Sequence, residues 1–239
     1  MDREARRDEL AASLDEVRRR IERACTAAGR DPGSVTLVAV TKTYPASDVE
    51  LLAGLGVTDV GENKDQEAAA KAAAVAAPLR WHFVGQLQRN KAKSVVTYAD
   101  VVESVDSTRL AGALATAAAR LRERPLDVLV QVSIDGDPAR GGAVADGSDP
   151  DRDLWRVAAA VEEAEGLRLG GVMAVAPRGW EPARAFEDLA GLAARLRADH
   201  PGATDISAGM SGDLEQAVRH GATHVRIGTS LLGMRNTLR

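Results

Sequence analysis

The sequence predicts an α/β protein, a single (β/α)8 TIM barrel with an extra N-terminal helix, and three observations carry that expectation. Eight short apolar runs recur along the chain, and Ala/Leu/Glu/Arg-rich stretches long enough for helices lie between them. The 239 residues fall just under the roughly 250 typical of such barrels, and no Ser/Gly/Pro-rich linker marks a second domain. An open doubly wound sheet usually stops at fewer strands. One domain is expected over 1–239, with the helix in 1–30 and the barrel in 35–239.

The elements follow in order. Leu10, Leu14, Val17, Ile21 and Cys25 recur at spacings of three and four, the apolar stripe of an amphipathic helix that Gly29 and the following RDPGS end. The eight runs are VTLVAVT (35–41), VTDVGEN (57–63), RWHFVG (80–85), ADVVES (99–104), DVLVQVSI (127–134), LRLGGVMAV (167–175), ATDISAG (203–209) and THVRIG (223–228). Leu37 to Val40 read as a strand buried on both faces, the kind found in parallel sheets, and the repeated strand-then-helix order implies a parallel sheet. Helical composition fills 107–123, 150–164 and 181–199. The stretch 135–151, DGDPARGGAVADGSDPD, is the loosest and reads as a mobile loop after the fifth strand.

Composition narrows the function classes. A net charge of −4, no basic block and 3% aromatic residues give no basis for nucleic-acid binding. Cys25 is the only cysteine, which excludes intrachain disulfides and cysteine-rich metal sites and fits a reducing compartment. The opening MDREARRDELAASLDEVRRR has no apolar core of the signal-peptide kind, and no segment is long and apolar enough to cross a membrane, so a cytoplasmic protein is expected.

In such a barrel the polar residues at strand ends converge on one rim. Here these are Lys42, Glu62, Asn63, His82, Arg140, Met173, Ser207 through Asp213, and Arg226 through Thr229. SAGMSGD (207–213) and RIGTSLLG (226–233) follow the last two strands and offer hydroxyls at Ser211 and Thr229 with backbone N–H groups around Gly212 and Gly228. Two donor loops after the last two strands are where barrels commonly hold a phosphate. Taken singly, Ser211 and Asp213 also suit helix caps, and the glycines suit tight turns.

Lys42 ends the first strand, which neighbours the eighth in a closed barrel, so it should lie close to Arg226 and the phosphate loops. A buried lysine beside a guanidinium should have its pKa lowered, leaving a free amine for Schiff-base chemistry. Pyridoxal phosphate, or a sugar phosphate in a class I aldolase, would both suit a lysine beside a phosphate cradle.

Seven segments taken together, VAVTKTYPA, GENKDQE, WHFVGQLQRNK, ARGGA, GVMAVAP, SAGMSGD and HVRIGTSLLG, resemble in order the pyridoxal phosphate homeostasis proteins, a family similar to the barrel domain of alanine racemase. The resemblance covers the chain from near residue 35 onward. It implies pyridoxal 5'-phosphate as a Schiff base on Lys42, Arg226 at the pyridine nitrogen, Ser211, Gly228 and Thr229 on the phosphate, and Asn63 and Met210 along the ring. His82 falls in a matching motif and is a candidate cofactor contact, with a buried structural histidine as the other reading. Arg140 stands where the family usually has a lysine; it keeps the charge but forms no imine.

The resemblance implies a monomeric carrier of the cofactor with PLP-dependent apo-enzymes as partners and no substantial turnover. An arginine at the ring nitrogen keeps the ring a poor electron sink. Related racemases take a second base from a separate β-domain, for which the ten residues after Thr229 leave no room. A small racemase-like enzyme is the alternative, and a cofactor-free aldolase a distant third.

Overall fold

The computed structural model describes residues 2–137 and 140–233. Its centre is a closed parallel barrel of eight strands in sequence order: β1 (Thr36–Val40), β2 (Asp59–Glu62), β3 (Arg80–Phe83), β4 (Val101–Val105), β5 (Leu126–Gln131), β6 (Leu167–Met173), β7 (Asp205–Ser207) and β8 (His224–Ile227). Each strand falls within or against one of the eight apolar runs, so the (β/α)8 expectation holds. Closure is made by β8 pairing with β1, Arg226 standing in register with Val38.

The helices are α1 (Arg3–Ala27), α2 (Ala46–Gly54), α3 (Asp65–Ala74), α4 (Ala92–Val95), α5 (Thr108–Leu121), α6 (Leu154–Glu162), α7 (Pro182–Asp199), α8 (Leu214–Arg219) and α9 (Thr229–Leu232). The segment 150–164 yields a shorter helix than its composition suggests. Asp153 caps α6, its carboxylate accepting from Arg156 N at 3.0 Å, so the acidic residues before it form the turn that delivers the chain. No helix among the described residues is long and apolar enough to cross a membrane.

α1 lies outside the ring, against α2, α8 and α9, because its predicted stripe meets theirs. Leu10, Leu14, Val17, Ile21 and Cys25 are buried in one cluster with Val49, Leu52, Leu214, Val218, Leu231 and Leu232. Each such side chain contributes roughly 1.5–3 kcal/mol on burial. Gly29, at φ +67°, ends the helix, with Arg30 N donating to Cys25 O at 2.9 Å and Gly29 N to Thr26 O at 3.1 Å.

Strand alternation divides the remaining core. Leu126, Val128 and Val130 of β5 point at the helices, while Leu129 turns inward against Val101 and Met173. Much of the remaining barrel interior is polar or charged: Asp59, His82, Glu103, Ser207 and Arg226 are all buried there. The 135–151 loop, apart from residues 138 and 139 (the latter opening the ARGGA segment), which lie outside the described residues, is tied down. Arg140 pairs with Asp135 at 3.0 Å and donates to Val175 O and Ala176 O at 3.0 and 3.2 Å. Asp151 holds Thr108 and Arg109 at 2.7 Å each.

Candidate functional site

Four consecutive strands of the ring, β7, β8, β1 and β2, bring most of the candidate residues to one rim. Their C-terminal ends lead into Met210–Ser211, Gly228–Thr229, Lys42 and Asn63 respectively. Residues far apart in sequence become neighbours here because a parallel barrel points every strand the same way.

β1 ends at Val40, and Thr41 N still extends the ladder to Gly61 O at 3.0 Å before the chain turns. Lys42 is carried by that turn and is exposed, with no hydrogen bond or ion pair to any described residue. The expectation of a buried lysine is therefore corrected: the turn lifts the side chain onto the rim and leaves Arg226 in the barrel below. Thr43 follows at φ +68°, a left-handed conformation unusual for a β-branched residue.

Arg226 is almost wholly buried. Its Nη1 donates to Ser207 Oγ at 2.6 Å and its Nη2 to Ala174 O at 2.9 Å, while Nη1 lies 3.7 Å from Glu103 Oε2. Burial pulls this guanidinium below its ordinary pKa, and the Glu103 carboxylate opposes the shift. A guanidinium nonetheless stays protonated in a protein.

The loop after β7 is shaped by Gly209 at φ +92°, where an added Cβ would stand 2.6 Å from Ala217 Cβ. Asp213 does not cap α8 with its side chain; it closes the turn, Oδ1 accepting from Met210 N at 2.6 Å. Ser211 Oγ accepts from Ser230 N at 3.2 Å and so joins this loop to the one after β8. Arg20 of α1 braces the loop from behind, donating to Ser211 O at 3.0 Å and forking onto Glu215 at 2.8 and 2.9 Å. Gly228 packs on β1, where its Cβ would lie 3.4 Å from Val40 O. Thr229 and Met210 are exposed on the same rim. Across from them Asn63 Oδ1 is buried without a hydrogen-bond partner, an acceptor awaiting a donor.

His82 sits inside the barrel, below this rim. Its Nδ1 lies 2.7 Å from Glu103 Oε1 and its Nε2 2.9 Å from Asp59 Oδ1. Burial alone would lower its pKa; the two carboxylates overcome this and raise it to about 9, while the same contacts hold Glu103 down at about 2 against its own burial. His82 thus lies between two carboxylates that favour its protonated form, and Glu103 Oε2 in turn accepts from Ser207 Oγ at 2.6 Å and lies 3.7 Å from Arg226 Nη1. With both ring nitrogens engaged, His82 reaches the rim only through that chain.

Arg140 and Met173 lie elsewhere, Arg140 over β5 and β6 and Met173 in the interior. Glu62 points away from the cradle, toward Lys71 at 2.7 Å. Sequence reasoning missed Asp59, Glu103, Ser230 and Lys71. The signal for the first two was a carboxylate inside an apolar strand run; Ser230 and Lys71 carried none. The rim offers a solvent-facing amine, two hydroxyls, glycine backbone that admits close approach, and a fixed cation beneath. Together they suit a phosphorylated aldehyde.

The family model for the alanine racemase N-terminal domain matches residues 12–236. A pyridoxal phosphate homeostasis protein of Mycobacterium tuberculosis is 46% identical over 96% of this chain and 94% of its own length. PipY of Synechococcus elongatus, solved with PLP bound, is 33% identical with a TM-score of 0.78, covering 94% of this chain and all of that one. Alanine racemase from Corynebacterium glutamicum, 14% identical with a TM-score of 0.69 over 98% of this chain and 64% of its own, shares the fold. By sequence and by barrel alike, the chain belongs to the pyridoxal phosphate homeostasis protein family.

Proposed function

We propose that this protein binds pyridoxal 5'-phosphate, holds it covalently through Lys42, and serves intracellular homeostasis of the cofactor as a carrier without substantial turnover. The observation that carries this reading is the grouping of an unpaired, exposed amine with two hydroxyl-bearing loops and a buried guanidinium at the ends of β7, β8 and β1. The names of the relatives and the cofactor bound to PipY support it.

When bound, pyridoxal phosphate supplies an aldehyde that condenses with amines and a conjugated ring that can accept electrons. Lys42 is the amine on the rim. Ser211 and Thr229 would donate to the phosphate, and Gly228 lets an anion approach the backbone. Asn63 and Met210 would flank the ring, the orphaned Asn63 Oδ1 gaining a partner. Arg226 would face the ring nitrogen, where its fixed charge keeps a second proton away and limits the ring as an electron sink. His82 would act indirectly, holding Glu103 and through it Arg226.

The tyrosines favour a carrier over an amino-acid enzyme. Each phenol already has an acceptor, Tyr98 Oη donating to Asp65 Oδ1 at 3.4 Å and Tyr44 Oη to Gly233 O at 2.7 Å. A racemase-like enzyme is the second reading, carried by the shared barrel. Incubating the cofactor-loaded protein with L-alanine, L-serine or L-glutamate in deuterated water separates the two. The carrier exchanges the α-proton no faster than free pyridoxal phosphate at the same concentration. Fast exchange that disappears in Lys42→Ala makes it an enzyme. The whole chain is proposed to act as one domain and as a cytoplasmic monomer, with PLP-dependent apo-enzymes as recipients.

A further inference from the structure

Lys71, on α3, is a buried lysine that the proposed chemistry does not use. Its side chain is only 7% exposed, and its ammonium donates three hydrogen bonds of 2.7 Å, to Glu62 Oε1, Glu67 Oε1 and the backbone carbonyl of Thr41. All three donors of an ammonium are thereby used, which leaves Lys71 no free amine of its own. All three acceptors belong to or bind the residues on either side of Lys42. The Thr41 carbonyl is held directly, and Thr41 Oγ1 also donates to Glu62 Oε1 at 2.6 Å. Glu67 Oε1 accepts from Thr43 N at 2.5 Å.

Thr43 is the residue that needs such a tie. A β-branched side chain at φ +68° is disfavoured and persists only where its surroundings over-determine it. Release of Thr43 would let the turn relax toward ordinary φ and swing Lys42, the next residue back, off its direction. The Lys42 side chain has no hydrogen bond or ion pair with a described residue, so its aim depends on the backbone around it.

We propose that Lys71 is a positioning residue for Lys42: one buried ammonium fixes the backbone on both sides of the attachment lysine, through the Thr41 carbonyl and through Glu67 to the Thr43 N–H. This rests on the assignment of Lys42 as the attachment site. The cost of burying the charge is offset by the two carboxylates and the carbonyl, an arrangement that breaks badly if one partner is removed. A lysine serving only to dock α3 against β1 and β2 would have no reason to bind the turn as well as Glu62.

The test uses the full chain and two backgrounds. The rate of Lys42 modification by pyridoxal phosphate is followed by the visible band and by borohydride-trapped Lys42 peptide, in wild type, Lys71→Met, Thr43→Gly and the double variant. Glycine adopts positive φ freely, so Thr43→Gly removes the need for the tie. Lys71→Met should slow modification at least tenfold in the threonine background and less than threefold in the Thr43→Gly background. A wild-type rate for Lys71→Met, or an equal slowing in both backgrounds, overturns the proposal.

Should Lys71→Met fail to fold by circular dichroism, Glu67→Ala decides by the same comparison, since Glu67 is partly exposed and its loss frees Thr43 while leaving Lys71 paired with Glu62. If wild type traps no label on Lys42, the attachment reading has failed, and hydrogen exchange at the Thr43 amide then tests the tie alone. Exchange at least tenfold faster in Lys71→Met or Glu67→Ala upholds the role of Lys71 in holding the turn; unchanged exchange refutes it.

Discussion

A hydroxyl that accepts one hydrogen bond can still donate another, so Ser211, which accepts from Ser230 N, would keep its own proton for a phosphate oxygen in the proposed cradle. Thr229, exposed on the neighbouring loop, is the second hydroxyl. Ser211→Ala combined with Thr229→Ala should weaken pyridoxal phosphate binding by about 2–5 kcal/mol, the sum of two charge-assisted bonds less some relaxation. Pyridoxal, which lacks the phosphate, should bind wild type and the double variant almost equally in an absorbance titration; a large difference for pyridoxal would place the hydroxyls on another group. The proposed cradle residues Ser211 and Thr229 stand out in the sequence because each lies in a loop after a strand, beside a glycine. Glu103 and Asp59 are harder to single out, since ADVVES and VTDVGEN each hold two carboxylates and only the register of closure shows which of them is set against His82. The exposure of Lys42 was misjudged for a similar reason: the apolar run gives the strand's existence but not the residue at which pairing stops and the turn begins.

At the scale of elements, α1 is attached by more than its apolar stripe. Arg6 is buried, donating to Asp48 Oδ2 at 3.1 and 2.7 Å and to Leu232 O at 3.1 Å, so one guanidinium joins α1 to α2 and to α9 beside the cradle. Both side chains of the Arg6–Asp48 pair are 9% exposed, so Arg6→Met strands a buried carboxylate and should cost about 3–5 kcal/mol in urea unfolding. Arg3→Met, which removes a pair exposed on both sides, should stay within about 1 kcal/mol. Equal effects would show the buried pair to be dispensable. The eight strands and α1 were readable from period and run length, which depend on local sequence. The helix after SAGMSGD was readable from the strand and glycine turn before it and is α8, whereas α4 and α9 were not, because four residues carry too little periodicity and form through tertiary contacts instead.

For the molecule as a whole, the charged barrel interior makes stability depend on pH. His82 has its folded pKa raised from 6.5 to about 9, so its contribution is fully present below 6.5 and is lost as pH rises through 9. A shift of that size corresponds to roughly 3 kcal/mol, which should appear as a falling urea midpoint between about pH 7 and 9.5. His82→Gln, less stable throughout, should show no such fall over that window; a wild-type midpoint constant to pH 9.5 would contradict the charge assignment. Whether this barrel carries pyridoxal phosphate on Lys42 is decided by intact-mass and peptide analysis after borohydride reduction of the cofactor-loaded protein. One reduced phosphopyridoxyl group per chain is expected, on the peptide containing Lys42, and none in Lys42→Ala with its circular dichroism unchanged. Label on Lys64, Lys71 or Lys91 instead, or label that persists in Lys42→Ala, would contradict attachment at Lys42.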